Sequence, residues 1–178
     1  AGLSPGRCSG RRGHTGAGPG AAGCGLLPRP HGVGSVGRIE DYALIGDCHT
    51  VALVGRDASI DWWCPTRFDT PSVFGRILDA DAGHCVVTIA DQRASRREYV
   101  QDTNVVTTVL SSDDGDLEIT DCMPVGAFDL ANPAHVATKH CILRRLRCLS
   151  GHVEASVEVF FKHAYARADP TRGRAGLA

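Results

Sequence analysis

After residue 38 the chain runs in short apolar or alternating blocks, each closed by a polar or glycine-containing turn. Residues 50–54 are rich in β-formers, Arg56-Asp57-Ala58-Ser59 is polar, and residues 60–64 are bulky and aromatic, a pattern that predicts a hairpin. Thr70 suits an N-cap and Pro71 the first helical position, so a short helix is predicted from Pro71, with Phe74, Ile77 and Leu78 as its apolar face. Strands are then predicted over residues 84–90, 96–100 and 103–110. Ser112 to Gly115 supplies an Asp-Gly turn, and residues 116–121 alternate with Leu117 and Ile119 on one face. Residues 136–149 read as a long strand that Ser150-Gly151 turns back into residues 152–161. There Val153, Ala155, Val157, Val159 and Phe161 share one face.

Many short strands at spacings of roughly ten residues, with one short helix, point to an all-β fold, an antiparallel β-sandwich. No repeat of a propeller or solenoid is visible. Residues 1–37 stand apart: they hold twelve glycines, four prolines and no acid, and their only charges are Arg7, Arg11, Arg12 and Arg29. Such a stretch cannot hold a core, and a disordered tail is predicted there. The sandwich is assigned to residues 38–169. Residues 170–178 share the tail's bias to Gly, Ala and Arg and are expected to be an unstructured end.

Composition narrows the partners. The formal net charge is −1, and removing the tail's four arginines leaves −5 on the rest, so nucleic acid is not expected to bind. No apolar run approaches the roughly 20 residues that span a bilayer, so no membrane partner is expected and the cytoplasm is the default location. Eight cysteines fall at positions 8, 24, 48, 64, 85, 122, 141 and 148, with no C-x-x-C pair. Most are expected to be reduced and buried within strands rather than bridged. Arg144, Arg145 and Arg147 with Lys139 are read as charges guarding an edge strand.

The string Asp41-Tyr42-Ala43-Leu44-Ile45-Gly46-Asp47, then Ser59-Ile60-Asp61-Trp62, then Arg67-Phe68-Asp69-Thr70-Pro71 with Phe74, resembles the amino-terminal β-domain of bacterial family 15 glycoside hydrolases, the glucoamylase-like and trehalase-like enzymes. Asp102-Thr103-Asn104-Val105, Asp114-Gly115 and Ile119-Thr120-Asp121-Cys122-Met123-Pro124-Val125 follow in the same order. The resemblance covers residues 39–169. It implies a β-sandwich packed against a separate helical barrel that carries two catalytic glutamates, and an α-glucoside such as trehalose or an α-1,4-glucan as substrate of the whole enzyme. Three departures stand out. Ala58 occupies a turn position where these proteins usually have glycine, Phe161 to Arg167 lacks the usual aspartate of that region, and residues 171–178 show no family pattern.

Glycoside hydrolysis generally needs two carboxyl groups about 5 to 10 Å apart. Glu40, Glu98, Glu118, Glu154 and Glu158 sit at strand ends or on polar faces, and none is assigned as a catalyst. The expected role is a non-catalytic domain that braces the barrel; a freestanding carbohydrate-binding or protein-interaction module is the other reading. Trp62, Trp63, Arg67 and Asp69, with Asp61 close by, combine flat rings with hydrogen-bonding charges, the groups with which a protein holds a sugar. They are the candidate substrate-binding residues, against the alternative that the tryptophans fill the core and Arg67 and Asp69 pair. Cys48-His49, His84-Cys85 and His140-Cys141 are adjacent residues whose side chains diverge on a strand, so no metal and no other cofactor is expected.

Overall fold

A computed structural model describes residues 37–126, 138–162 and 171–177. A 3₁₀ turn at Ile39–Asp41 leads into ten strands: β1 (Ala43–Gly46), β2 (Val51–Val54), β3 (Ile60–Trp63), β4 (His84–Ile89), β5 (Ala94–Tyr99), β6 (Val106–Ser111), β7 (Gly115–Cys122), β8 (Leu143–Gly151), β9 (Ala155–Phe161) and β10 (Thr171–Leu177). They form two antiparallel sheets, one in the order β1-β2-β3-β4-β9-β10 and one in the order β5-β6-β7-β8. The β-sandwich predicted from patterning is therefore present. Its core has two parts: Ile45, Val54, Ile60, Phe74 and Val106 at one end, and Val87, Ile89, Leu110, Leu117 and Ile119 at the other.

Both predicted hairpins form. In the first, Gly55 N–H donates to Ser59 O at 2.8 Å and Ala58 takes φ +60, the left-handed conformation that glycine adopts without penalty. Register shifts across this hairpin: Leu53 faces Trp62 and Val54 faces Ile60, so Asp61 is an extra residue on β3. The bulge lets Ile60 and Trp63 both pack on the core while Asp61 turns toward other partners.

Three expectations need correction. Residues 71–78 are not helical: Val73 N–H donates to Trp63 O at 3.0 Å, Trp63 N–H to Phe74 O at 3.2 Å, and Lys162 N–H to Val73 O at 3.1 Å. These long-range bonds use the groups a helix would need, and they hold the Phe74 ring against Trp63 and Phe161. Second, residues 150–154 do not fold β9 back beside β8. The chain passes instead from the four-stranded sheet to the six-stranded one. Gly151 makes this possible at φ +65, where an added Cβ would lie 1.9 Å from Asp114 O. Third, Thr171–Leu177 pairs with β9 along its whole length instead of forming an unstructured end.

Smaller differences follow. β8 starts at Leu143, and Thr138 makes an isolated bridge to Val125. Of the six described cysteines, all free, Cys64 and Cys85 are buried, Cys122 and Cys141 half-buried, and Cys48 and Cys148 exposed, so burial is less general than expected. The tail predicted at the start of the chain, residues 1–36 of it, and the departure from the family pattern within residues 163–167 lie outside the described residues.

Side chains close the free edge of β1. Tyr99 OH accepts from Leu44 N–H at 2.8 Å and donates to Leu44 O at 2.9 Å, and Asn104 Nδ2 donates to Gly46 O at 3.1 Å. Arg97 Nη1 donates to Asp41 O and Val54 O, each at 2.7 Å. These contacts tie the two sheets together on this side and occupy backbone groups that could otherwise template another strand.

Candidate functional site

The candidate residues lie on β3 and on the loop that leaves it. Trp63 pairs with Ala52 and points into the sandwich, its ring centroid 5.9 Å from that of Phe74. Its Nε1 is buried with no acceptor among the described residues, at a mostly apolar cavity of about 220 Å³ that Phe74, Ile142, Arg144 and Phe161 also line. Trp62 pairs with Leu53 on the opposite face of the sheet. Both indoles are half-buried, and the structure does not bring them together on one surface.

Arg67 and Asp69 do meet. Arg67 Nε and Nη2 donate to the two carboxylate oxygens of Asp69, each at 3.0 Å, on an exposed loop tip. Between them Phe68 is 70% exposed, a ring that was not among the candidate substrate-binding residues. The loop is held from several sides. Phe68 N–H donates to His49 O at 3.3 Å, Arg67 N–H to Pro65 O at 3.0 Å, and Thr50 Oγ1 to Cys64 O. Thr70 Oγ1 lies 2.6 Å from the carbonyl oxygens of both Pro65 and Arg67. Thr66, a β-branched residue, takes φ +78 within it.

Beneath the loop sits Asp47, fully buried. Its Oδ1 accepts from His49 N–H at 3.0 Å and Thr50 N–H at 2.8 Å; its Oδ2 accepts from Thr138 Oγ1 and lies 3.4 Å from His140 Nδ1. Burial pushes this carboxyl up, yet the hydrogen bonds from Thr138, Thr50 and His49 outweigh it and hold the group below its usual range. Cys48 at φ +72 and His140 at φ +47 lie in the same neighbourhood as Thr66, so three of the six left-handed non-glycine residues among those described gather at this end.

The other two buried carboxylates among the described residues are internal ties. Asp61, only 3% exposed, accepts from Tyr42 OH at 2.8 Å and Ser59 Oγ at 3.0 Å and lies 2.7 Å from Arg76 Nη2. Burial and the bond to Asp61 raise Tyr42 well above the ordinary phenol range. Asp121 takes a two-pronged bond from Arg144, through Nε at 2.7 Å and Nη2 at 2.9 Å. Arg144 is therefore not an edge charge. Its burial disfavours the cation, but the Asp121 carboxylate more than offsets this. Arg145 and Arg147 project to the other side, to Glu118. All three buried carboxylates are thus committed to neighbours in the fold, and among the described residues no group of three or more His, Cys, Asp or Glu is placed to hold a metal.

Residues 32–171 match the family described as trehalase-like, N-terminal. The chain belongs to that family. This trehalase-like N-terminal domain is 33% identical over 126 residues to the trehalase of Mycolicibacterium smegmatis, a match covering 65% of this chain and 19% of that protein. The Mycobacterium tuberculosis trehalase is also 33% identical over 126 residues, with 18% of its length covered. Trehalase 1 of Sulfolobus acidocaldarius is 39% identical over 88 residues, 49% of this chain and 16% of that one. The chain thus spans less than a fifth of the length of these relatives. No solved structure matches it. The stretches that carry the resemblance have structural work in this domain: Tyr42 and Asp61 meet in the buried cluster, Asn104 closes the β1 edge, and Asp121 holds Arg144.

Proposed function

We propose that this chain acts as the non-catalytic N-terminal domain of a larger α-glucosidase of the trehalase type, supporting a helical catalytic barrel and edging its active site with the Arg67–Asp69 loop. The observation that carries the reading is the match to trehalases over 18–19% of their length, together with the match of residues 32–171 to the N-terminal family model. The commitment of Asp47, Asp61 and Asp121 to internal partners supports it, because an acid–base pair needs carboxyl groups free to face substrate. On this reading both catalytic glutamates come from the barrel. Trehalose is preferred over an α-1,4-glucan because the relatives are named trehalases.

Arg67 and Asp69 present donors and acceptors on an exposed, hydrogen-bonded tip, which suits the hydroxyls of a glucoside entering beside the domain. Trp62 and Trp63 contribute through β3, the strand that feeds the loop, and Trp63 does so mainly by packing. Six free thiols fit a reducing compartment, and the cytoplasm is the proposed location. No described helix is long and apolar enough to cross a membrane.

A chimera tests the reading: residues 39–169 replace the matching segment of the Mycolicibacterium smegmatis trehalase, and glucose release from trehalose is measured. The chimera is expected to hydrolyse trehalose, and the 178-residue chain alone to release none. A folded chimera with no activity, or hydrolysis by the chain alone that one carboxylate substitution abolishes, would overturn the proposal.

A further inference from the structure

We infer that Phe68, rather than either tryptophan, is the ring on which this domain stacks a pyranose, with Arg67 and Asp69 holding the hydroxyls at its edge. The inference rests on the accessory-domain reading for the identity of the ligand, a neutral glucoside. The geometry of the loop carries the rest. Phe68 is 70% exposed, although an unconstrained phenyl ring gains free energy by leaving water. It is not loose: its own N–H is bound to His49 O, and the loop around it is fixed by the hydroxyls of Thr50 and Thr70. Thr66 at φ +78 is a conformation that β-branched residues avoid, kept here while it presents Phe68 outward. Strain and exposure retained together on an anchored loop are what a preorganised contact requires.

The surroundings favour a sugar over a protein face. A stable protein interface buries about 800 Å² on each side around an apolar centre. Phe68 instead is flanked in sequence by exposed polar residues, Thr66, Arg67 and Asp69 on its own loop. One exposed flat ring, with a paired guanidinium and carboxylate on the residues before and after it in the chain, matches one pyranose, whose C–H face is apolar and whose rim alternates acceptors and donors. The indoles are not so placed, since Trp63 faces the inter-sheet cavity and Trp62 lies on the outer face of the sheet. That cavity offers a sugar one free indole N–H and an otherwise mainly apolar wall, which would leave most hydroxyls unpaired.

The test is a titration of the full chain, labelled with ¹³C-phenylalanine, with trehalose and with methyl α-glucoside, and with open-chain sorbitol as the control that lacks a ring face. Both glucosides are expected to give a saturable shift of the Phe68 ring signals, and sorbitol none. Phe68→Ala, at an exposed position that leaves folding intact, should weaken binding about fivefold, and Phe68→Tyr should restore it. Asp69→Asn, which removes the charge paired with Arg67, should also weaken binding. Binding that is undiminished in Phe68→Ala overturns the inference while leaving the accessory-domain reading intact, because the trehalase chimera tests that reading separately. No saturable binding by either glucoside overturns it too. So does a chimera in which Phe68→Ala leaves KM for trehalose unchanged and the ring is shielded by the barrel, which would make Phe68 an anchor between domains.

Discussion

Removing the Asp121 carboxylate gives the sharpest test of how the two sheets are held together. Asp121 is fully buried and Arg144 only 9% exposed, and their two bonds of 2.7 and 2.9 Å engage the Nε and Nη2 edge of the guanidinium. The remaining contact of Arg144 in the described core is a weak bond from Nη1 to Cys85 Sγ at 3.5 Å. Asp121→Ala therefore strands a charge beside the apolar residues of the inter-sheet cavity. Breaking a buried pair from one side costs about 3–5 kcal/mol, a large part of the ~5–15 kcal/mol that stabilises an ordinary domain. Replacing both partners is a different perturbation. Asp121→Leu with Arg144→Met removes two desolvated charges at once and should cost about 1 kcal/mol or less, because the pair's attraction is largely offset by the loss of hydration. Urea unfolding followed by tryptophan fluorescence gives both values. The reasoning fails if the single substitution costs under about 1 kcal/mol, or if the double variant is as unstable as Asp121→Ala.

Three further outcomes are expected. Burial and the charge of Arg76 hold His84 below its ordinary pKa of 6.5, so the unfolded chain binds the extra proton first. Stability from this group is complete above about pH 6.5 and falls as pH drops toward the folded value; His84→Gln should flatten that part of a denaturation-versus-pH curve, and an unchanged slope would refute the assignment. Ala58→Gly should be nearly neutral in thermal melts: relief of ~1–2 kcal/mol at φ +60 is offset by losing a buried methyl, ~0.8 kcal/mol, and by added freedom of the unfolded chain, ~0.4–1 kcal/mol. A gain or loss beyond about 1.5 kcal/mol would show that one of these terms is misjudged. Deleting residues 1–37 should leave the melting temperature unchanged, since a Gly/Pro-rich stretch cannot recover ordering entropy of roughly 1–2 kcal/mol per residue; a fall of several degrees would contradict this.

Much of the candidate site was legible by proximity in sequence. Arg67 and Asp69 are two residues apart, so a pairing between them required only a turn, and it is present. Trp62 and Trp63 are adjacent on β3 and so lie on opposite faces, facing Leu53 and Ala52 on β2. Phe68 was visible as an aromatic residue between two charges, but nothing local said that its ring would be the exposed one. That outcome depends on His49, Thr50 and Thr70 fixing the loop.

Patterning by itself determined most of the strands, though not β1 or β10, together with the two hairpin turns and the all-β class, because period-two alternation and turn chemistry act over a few neighbouring residues. Tertiary structure alone decided what depends on partners far along the chain. Pro71 and its neighbours carry helix-start signals worth on the order of 1 kcal/mol, which are overridden once Trp63 and Lys162 claim the backbone of residues 73–74 and Phe74 enters the core. Arg144 looked like its neighbours Arg145 and Arg147 until Asp121 appeared opposite it, 23 residues back. Gly151 read as a simple turn, yet whether β9 returned beside β8 or crossed to the other sheet was decided by its partner: β9 pairs with β4 over six residues, from His84↔Phe160 to Ile89↔Ala155. A local sequence specifies what each segment can do; which option is taken follows from non-local hydrogen bonds and burial, whose combined free energy exceeds any single propensity.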